Sequence, residues 1–202
     1  MHSQRVIGYH GCDRETAEKI LAGKDQLNHS QNKYDWLGSG RYFWEDDYDR
    51  AMRFARRMAG RPAKPINNPF VLGAIIDPGH CLNLLEYGNL QLLPPAFEAL
   101  HVWLEELGKA IPQNRARSFD GEEDLVLRDL DCAVIEMVHT LRMKSGEPAY
   151  DTVRSVFWEG PEVYASAGFR VYNHIQICVR NPACILGYFR PMRAECGWLP
   201  GA

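Results

Sequence analysis

Two glycine-flanked stretches near the start of the chain decide the fold: Val6-Ile-Gly-Tyr-His-Gly-Cys12 and Gly38-Ser-Gly-Arg-Tyr-Phe-Trp-Glu-Asp46. Each combines the apolar and aromatic residues of a β-strand with a glycine turn. The first leads through Asp13, a good N-cap, into a helical pattern at Thr16–Leu21, and the second leads through acidic residues into Ala51–Arg57. The sequence therefore predicts the order strand, helix, strand, helix.

The rest of the chain divides into one strand, a helical middle and a strand-rich end. Phe70–Ile76 is a buried-type strand, and the helical middle covers about 91–145. Its two apolar stripes, Pro95–Ala110 and Leu127–Leu141, have the three- and four-residue spacing of core-packed helices. Strands at both ends and helices between them predict an α+β fold in a single domain, 1–202. The predicted final strands are Val153–Trp158, His174–Arg180 and Ile185–Phe189.

Composition limits the class of protein. The 202 residues are 46% hydrophobic and 24% charged, with a formal net charge of −3, so the strongly cationic surface of a nonspecific nucleic-acid binder is absent. Apolar runs such as Ala133–Ile135 fall far short of the ~20 residues that span a bilayer. The start of the chain lacks a signal-peptide pattern, and the six cysteines form no C-x-x-C pair. We therefore expect a cytoplasmic protein without a membrane partner and without a metal.

The two opening segments resemble the NAD pocket of ADP-ribosyltransferases of the poly(ADP-ribose) polymerase and diphtheria-toxin class. That class has a strand ending in His-Gly, a helix, a Gly-x-Gly-x-Tyr-Phe strand and another helix. The resemblance covers roughly residues 5–60 and 170–190. It implies an ADP-ribosyltransferase-like split antiparallel β-sheet core, with the helical middle as an insertion.

The resemblance assigns roles to four residues by position. His10 matches the histidine that hydrogen-bonds the adenosine side of NAD, and Gly11 matches the glycine whose backbone holds the nicotinamide carboxamide. Tyr42 matches the tyrosine that stacks on nicotinamide, and Phe54 falls near the second stacking aromatic. A plain structural alternative for His10 is a core histidine with satisfied hydrogen bonds.

The third family position, a glutamate, is missing from the strand Tyr172-Asn-His-Ile-Gln-Ile-Cys-Val179. The aligned residue is His174, and Gln176 shares its strand face. We expect Gln176 to be the third pocket residue, because its amide oxygen can accept a hydrogen bond from a ribose hydroxyl. Glu159 or Glu162 could supply the carboxylate instead, beside Gly160–Gly168 as the loop facing the acceptor. Alternatively, His174 and Gln176 form an exposed strand face.

A basic stretch on the second helix is a candidate for phosphate contact. Arg53 is its member nearest the predicted pocket, so we expect Arg53 to contact the NAD diphosphate or a nucleic-acid acceptor. A solvated helix face is the structural alternative. The other members are Arg56, Arg57, Arg61 and Lys64.

The resemblance implies an NAD-dependent mono-ADP-ribosyltransferase whose catalytic residues are His10, Tyr42, Gln176 and His174. NAD is then a cosubstrate, and the acceptor is a protein or a nucleic acid. The habits of the family suggest a bacterial toxin or defence effector, with an antitoxin or regulator as a partner. The alternatives are a non-catalytic module that binds ADP-ribose, NAD or nucleic acid, and an NAD glycohydrolase.

Overall fold

Nine β-strands and five α-helices follow one another in this computed structural model, which describes residues 5–60, 66–116 and 124–192. Arg61, Lys64 and Cys196 lie outside the described residues. The strands are β1 Val6–Asp13, β2 Arg41–Glu45, β3 Pro69–Ile76, β4 Cys81–Asn83, β5 Asn114–Arg115, β6 Leu127–Arg128, β7 Thr152–Phe157, β8 His174–Val179 and β9 Ile185–Phe189. The helices are α1 Arg14–Leu21, α2 Tyr48–Met58, α3 Tyr87–Leu90, α4 Leu93–Glu106 and α5 Asp129–Lys144.

Seven of these strands form one sheet in the order β4-β7-β8-β2-β1-β3-β9. The β4–β7 pair is parallel and the other neighbouring pairs are antiparallel. Strands β5 and β6 form a separate two-stranded ribbon. The predicted α+β class is confirmed as a mostly antiparallel sheet with packed helices. No helix in the described ranges is long and apolar enough to cross a membrane.

The joint between β1 and β2 is the shortest strand pairing in this sheet. The two strands pair at Gly8 with Glu45 and at Tyr9 with Trp44, whereas β1 pairs with β3 along its whole length. Beyond Tyr9 the strands separate. The expected split sheet is thus one hydrogen-bonded sheet with a short joint between β4-β7-β8-β2 and β1-β3-β9.

Two main hydrophobic cores pack against the sheet, and the second extends from β8 and β2 to β1 and β3. One core packs α4 and α5 against β4 and β7, and the other packs α1 against β1, β2 and β3. Phe43 is fully buried in the second core, while its neighbour Tyr42 packs against the first. Alternation along β2 therefore sends successive side chains to opposite faces, as the sequence predicts.

The predicted helical middle differs from the structure at its edges. Helix α4 ends at Glu106 rather than Ala110, because Gly108 adopts a positive φ of 62° and the chain leaves the helix there. Leu127 belongs to β6, not to a helix, and α5 begins at Asp129. Apolar spacing locates the two main helices but does not reveal the short ribbon between them.

Glu136 on α5 lies in a hydrogen-bond network that joins this helix to the turn before β2. Its carboxylate accepts hydrogen bonds from the backbone N–H and the hydroxyl of Ser39, each 2.7 Å long, and from the Arg180 guanidinium at 2.8 Å. Burial by itself would raise the pKa of Glu136, but these hydrogen bonds outweigh it and lower the pKa to about 2. The network fixes the Gly38–Gly40 turn that begins β2.

Gly11 is required by the packing of α2 on β1. A Cβ atom at this position would overlap the backbone carbonyl oxygen of Ala51. Gly11 is buried, and the face of its backbone where a side chain would stand is covered by this helix.

Replacing Gly11 with alanine should therefore lower the free energy of unfolding by about 1–3 kcal/mol, because α2 must move outward. Gly88→Ala is the matched control, since no atom lies within 4 Å of the added methyl group. Urea denaturation of both variants measures the difference. Equal midpoints would show that α2 does not press on β1 at this point.

Candidate functional site

A cleft of about 310 Å³ lies where β1 and β2 separate. Five of the seven predicted site residues line it: His10, Tyr42, Phe54, His174 and Gln176. The cleft is bounded by β1, β2, β8, α2 and the segment before β2. The strand separation thus brings together residues that are up to 166 positions apart in the chain.

His10 bridges the separated strands through its side chain. Its Nδ1 atom lies 2.8 Å from the backbone carbonyl oxygen of Tyr42. A carbonyl oxygen can only accept, so Nδ1 carries the proton and Nε2 is left as a hydrogen-bond acceptor. Burial lowers the pKa of His10, which favours this neutral form.

Tyr42 is held in place by its hydroxyl group. The hydroxyl donates to the carbonyl oxygen of Gly38 at 2.6 Å and accepts from the backbone N–H of Leu37 at 3.0 Å. Burial raises the pKa of Tyr42 well above its usual value, so the phenol stays neutral. With its hydroxyl engaged, the part of Tyr42 available to a ligand is the aromatic ring.

Gln176 lies on β8 opposite Trp44 and lines the cleft beside Trp36. Its amide oxygen accepts a hydrogen bond from the indole N–H of Trp36 at 2.7 Å. This oxygen was expected to accept from a ribose hydroxyl. It retains a second lone pair for that purpose, and Trp36 fixes its direction.

Aromatic rings form a continuous wall at one end of the cleft. The rings of Trp44 and Phe54 are 5.1 Å apart, and those of Trp44 and His174 are 6.1 Å apart. Phe157 stacks on His174 at 5.4 Å. Phe54 therefore lies in the expected cleft, where its ring packs beside that of Trp44. Residues two apart on a strand share a face, so the position of Tyr42 was the signal in the sequence for Trp44.

A buried ion pair between Arg50 and Glu159 lies beside this wall. Only 10% of the Arg50 side chain and 6% of the Glu159 side chain are exposed. Of the two carboxylates considered from sequence, Glu159 lines the cleft. Glu162 is exposed and accepts a hydrogen bond from the backbone of Ser166. The predicted acceptor loop, Gly160–Gly168, follows directly after Glu159.

His174 is buried next to this pair. Its Nδ1 atom donates to the carbonyl oxygen of Tyr172 at 2.7 Å and lies 3.9 Å from the Glu159 carboxylate. Burial lowers the pKa of His174 to about 4, so the ring is neutral near pH 7. A neutral ring that donates from Nδ1 presents Nε2 as an acceptor.

Arg50 and Arg57, and not Arg53, are the arginines of α2 that line the cleft. Arg53 is exposed, and its guanidinium lies 3.9 Å from the centre of the Tyr172 ring, outside the cleft. Residues four apart share a helix face, so Arg50 lies on the same side as Phe54. The expectation for Arg53 came from its nearness in the sequence to the pocket motif. The helical spacing from Phe54 was the signal that identifies Arg50.

Several cleft residues have a buried polar atom without a hydrogen-bond partner in the described part of the chain. These atoms include Trp44 Nε1, Arg50 Nε and His174 Nε2. An unsatisfied buried polar group costs about 1–3 kcal/mol, and such costs concentrate where a ligand binds. Two donors and one acceptor therefore favour a polar ligand. Across residues 5–60, 66–116 and 124–192, no group of His, Cys, Asp and Glu could hold a metal ion.

A larger and more apolar pocket of about 570 Å³ adjoins this cleft, and Trp36 lines both. Its walls come from α4, α5 and β7, with Phe97, Val134 and Val156 among them. The titratable groups described above all lie on the other side of Trp36.

Comparison with known proteins yields one short similarity. An uncharacterized protein of Methanocaldococcus jannaschii is 48% identical over 44 residues, which cover 22% of this chain. The match spans 20% of the length of that relative. No family model matches the chain, and no solved structure matches it.

The histidines predict a pH dependence of stability. Burial lowers the pKa of both His139 and His174 from 6.5 to about 4. As pH falls from 6.5 to 4.5, these histidines bind protons in the unfolded chain but stay neutral in the folded chain. The free energy of unfolding should therefore fall by about 1–3 kcal/mol per histidine.

Urea denaturation at pH 7 and pH 4.5 measures the change in the free energy of unfolding with pH, and His139→Phe should reduce this slope. The depressed pKa of Glu136 acts at lower pH, because its stabilisation is lost only below about 4.5. An unchanged slope in His139→Phe would show that the buried ring accepts a proton in the folded state.

Proposed function

We propose that the protein is an NAD-dependent mono-ADP-ribosyltransferase that transfers ADP-ribose from NAD to a protein or nucleic-acid acceptor. The observation that carries the proposal is the meeting of His10, Tyr42 and Gln176 in one cleft at the strand separation. The short joint between β1 and β2 is also what an ADP-ribosyltransferase-like split sheet requires. A setting as a bacterial toxin or cytoplasmic defence effector, held by an antitoxin or regulator, accords with this activity.

The cleft residues can divide the binding of NAD between them. His10 offers Nε2 as an acceptor for a hydroxyl of the adenosine ribose. The rings of Tyr42 and Phe54 offer apolar faces for nicotinamide, and flat rings stack well on such faces in offset geometry. Gln176, oriented by Trp36, can accept a hydroxyl of the nicotinamide ribose. Gly11 and Arg53 have no part in this assignment, because both lie outside the cleft.

Glu159 is the group best suited to the missing glutamate's electrostatic role. In the transfer, the bond between ribose C1′ and the nicotinamide nitrogen breaks, and nicotinamide leaves with the electron pair. Positive charge develops on the ribose until the acceptor's nucleophile attacks C1′ and loses its proton. A buried carboxylate stabilises that charge far better than an amide does. Gln176 then positions the ribose, and Glu159 supplies the negative charge.

The purified protein, incubated with adenine-labelled NAD in cell lysate, should release nicotinamide and transfer label to a macromolecule. Nuclease and protease treatment then distinguish a nucleic acid from a protein acceptor. Tyr42→Ala should reduce turnover by about 100-fold or more, because the stacked ring is lost. The control is Tyr87→Ala, which changes a tyrosine that is 78% exposed on α3.

Three other outcomes would each contradict the proposal in a recognisable way. Nicotinamide release without a labelled macromolecule would indicate an NAD glycohydrolase. Binding of NAD or ADP-ribose without release would indicate a non-catalytic module. Full turnover by Tyr42→Ala would remove Tyr42 from the pocket.

Glu159→Gln should lower kcat by about 10²–10³, the usual effect of removing one preorganised electrostatic group, with a smaller change in KM. Glu162→Gln is the matched control in the same loop and should retain wild-type kcat. Steady-state nicotinamide release measures both. A large loss in Gln176→Ala together with normal kcat in Glu159→Gln would instead support Gln176 as the main electrostatic residue.

A further inference from the structure

The Arg50–Glu159 ion pair is unusual because both charges are buried inside a ligand cleft. The backbone of Glu159 is fixed: its N–H donates to the Asn173 side chain at 3.2 Å, and its carbonyl oxygen accepts from Tyr172 N–H at 3.0 Å. In the part of the chain that the structure describes, Arg50 is the residue that hydrogen-bonds the Glu159 carboxylate. The side chain can therefore change partner while the main chain stays in place.

Arg50 has more donor capacity than this ion pair uses. Its Nε atom is buried without a partner in the described residues, and Trp44 Nε1 in the same cleft is a second such donor. A guanidinium presents its N–H groups as a planar fork that matches the oxygens of a phosphate. Arg50 thus has N–H groups that can donate hydrogen bonds to an oxyanion.

Binding of an anion alone would deprive the Glu159 carboxylate of its counter-charge. If Arg50 turned to an anion, the Glu159 carboxylate would remain buried without its counter-charge, which is costly. His174 donates to Tyr172 from the nitrogen nearest Glu159, so it offers little compensation. Two further carboxylates lie nearby, since Asp47 accepts from Arg50 N–H and Asp124 accepts from Gly160 N–H. The site therefore favours a ligand that also brings a positive charge.

We propose that the Arg50–Glu159 ion pair is exchanged for a dipolar ligand, whose anionic group binds Arg50 while its cationic group faces Glu159. This inference rests on the proposed function, because NAD has both parts: a diphosphate and a positively charged nicotinamide ring. The exchange gives both Arg50 and Glu159 a new counter-charge. It also makes the cleft select the oxidised dinucleotide over the reduced one, whose diphosphate is the same but whose ring is neutral.

Calorimetry with three probes tests the exchange: inorganic pyrophosphate, a non-cleavable carba analogue of NAD⁺, and NADH. The wild type should bind the carba analogue about tenfold or more tightly than NADH, and pyrophosphate only weakly. Glu159→Gln should bind pyrophosphate about tenfold more tightly than the wild type, because Arg50 is then released without leaving a buried carboxylate. It should also lose the preference for the oxidised analogue.

Arg50→Gln should lose pyrophosphate binding, and Arg53→Gln, one turn along α2 and outside the cleft, should bind it as the wild type does. If Arg50→Gln fails to fold, Arg50→Gln/Glu159→Gln removes both charges together. That double variant should bind pyrophosphate far more weakly than Glu159→Gln.

Unchanged or weaker pyrophosphate binding in Glu159→Gln would overturn the exchange, whether or not the protein turns over NAD. So would wild-type binding by Arg50→Gln or by the double variant. If Glu159→Gln strengthens pyrophosphate binding but the carba analogue does not bind the wild type, the exchange stands for another dipolar ligand and the proposed NAD activity fails.

Discussion

The hydrogen bond from His10 to the carbonyl oxygen of Tyr42 is the interaction on which the cleft depends. Strands β1 and β2 pair only as far as Tyr9 and Trp44, and past that point the imidazole supplies the bond between them. The His10 side chain spans the gap between β1 and β2, and this gap is the space for a ligand. The hydrogen bond also fixes the histidine tautomer, so structure and chemistry are set by the same contact.

Helix α2 completes the cleft, and its position follows from the absence of a side chain at Gly11. Because the helix lies directly on β1, its face with Arg50 and Phe54 turns towards the separated strands. The helix thereby brings a buried cation to Glu159. A cleft with aromatic walls, a neutral histidine and a buried ion pair is well matched to a ligand with flat rings and both signs of charge.

The sequence predicted those features that depend on local pattern. Strand periodicity placed Tyr42 and Trp44 on one face and Phe43 in the core, and the glycine-flanked stretches located His10. What it could not predict depends on contacts between distant segments. The Gly11 backbone is covered by α2, and the order of elements in the motif does not reveal this packing. Arg50 lies on the cleft side of α2 because of the angle at which the helix packs, and Glu136 is half-buried because Arg180 and Ser39 hydrogen-bond to it.

The most direct test of the account is a crystal structure of the protein with the non-cleavable carba analogue of NAD⁺. The account predicts that the ligand lies in the cleft between β1 and β2, with its nicotinamide ring against Tyr42, its adenosine ribose at His10 and its diphosphate at Arg50. Density for the ligand in the apolar pocket beyond Trp36, or an unaltered cleft at saturating ligand, would contradict the account.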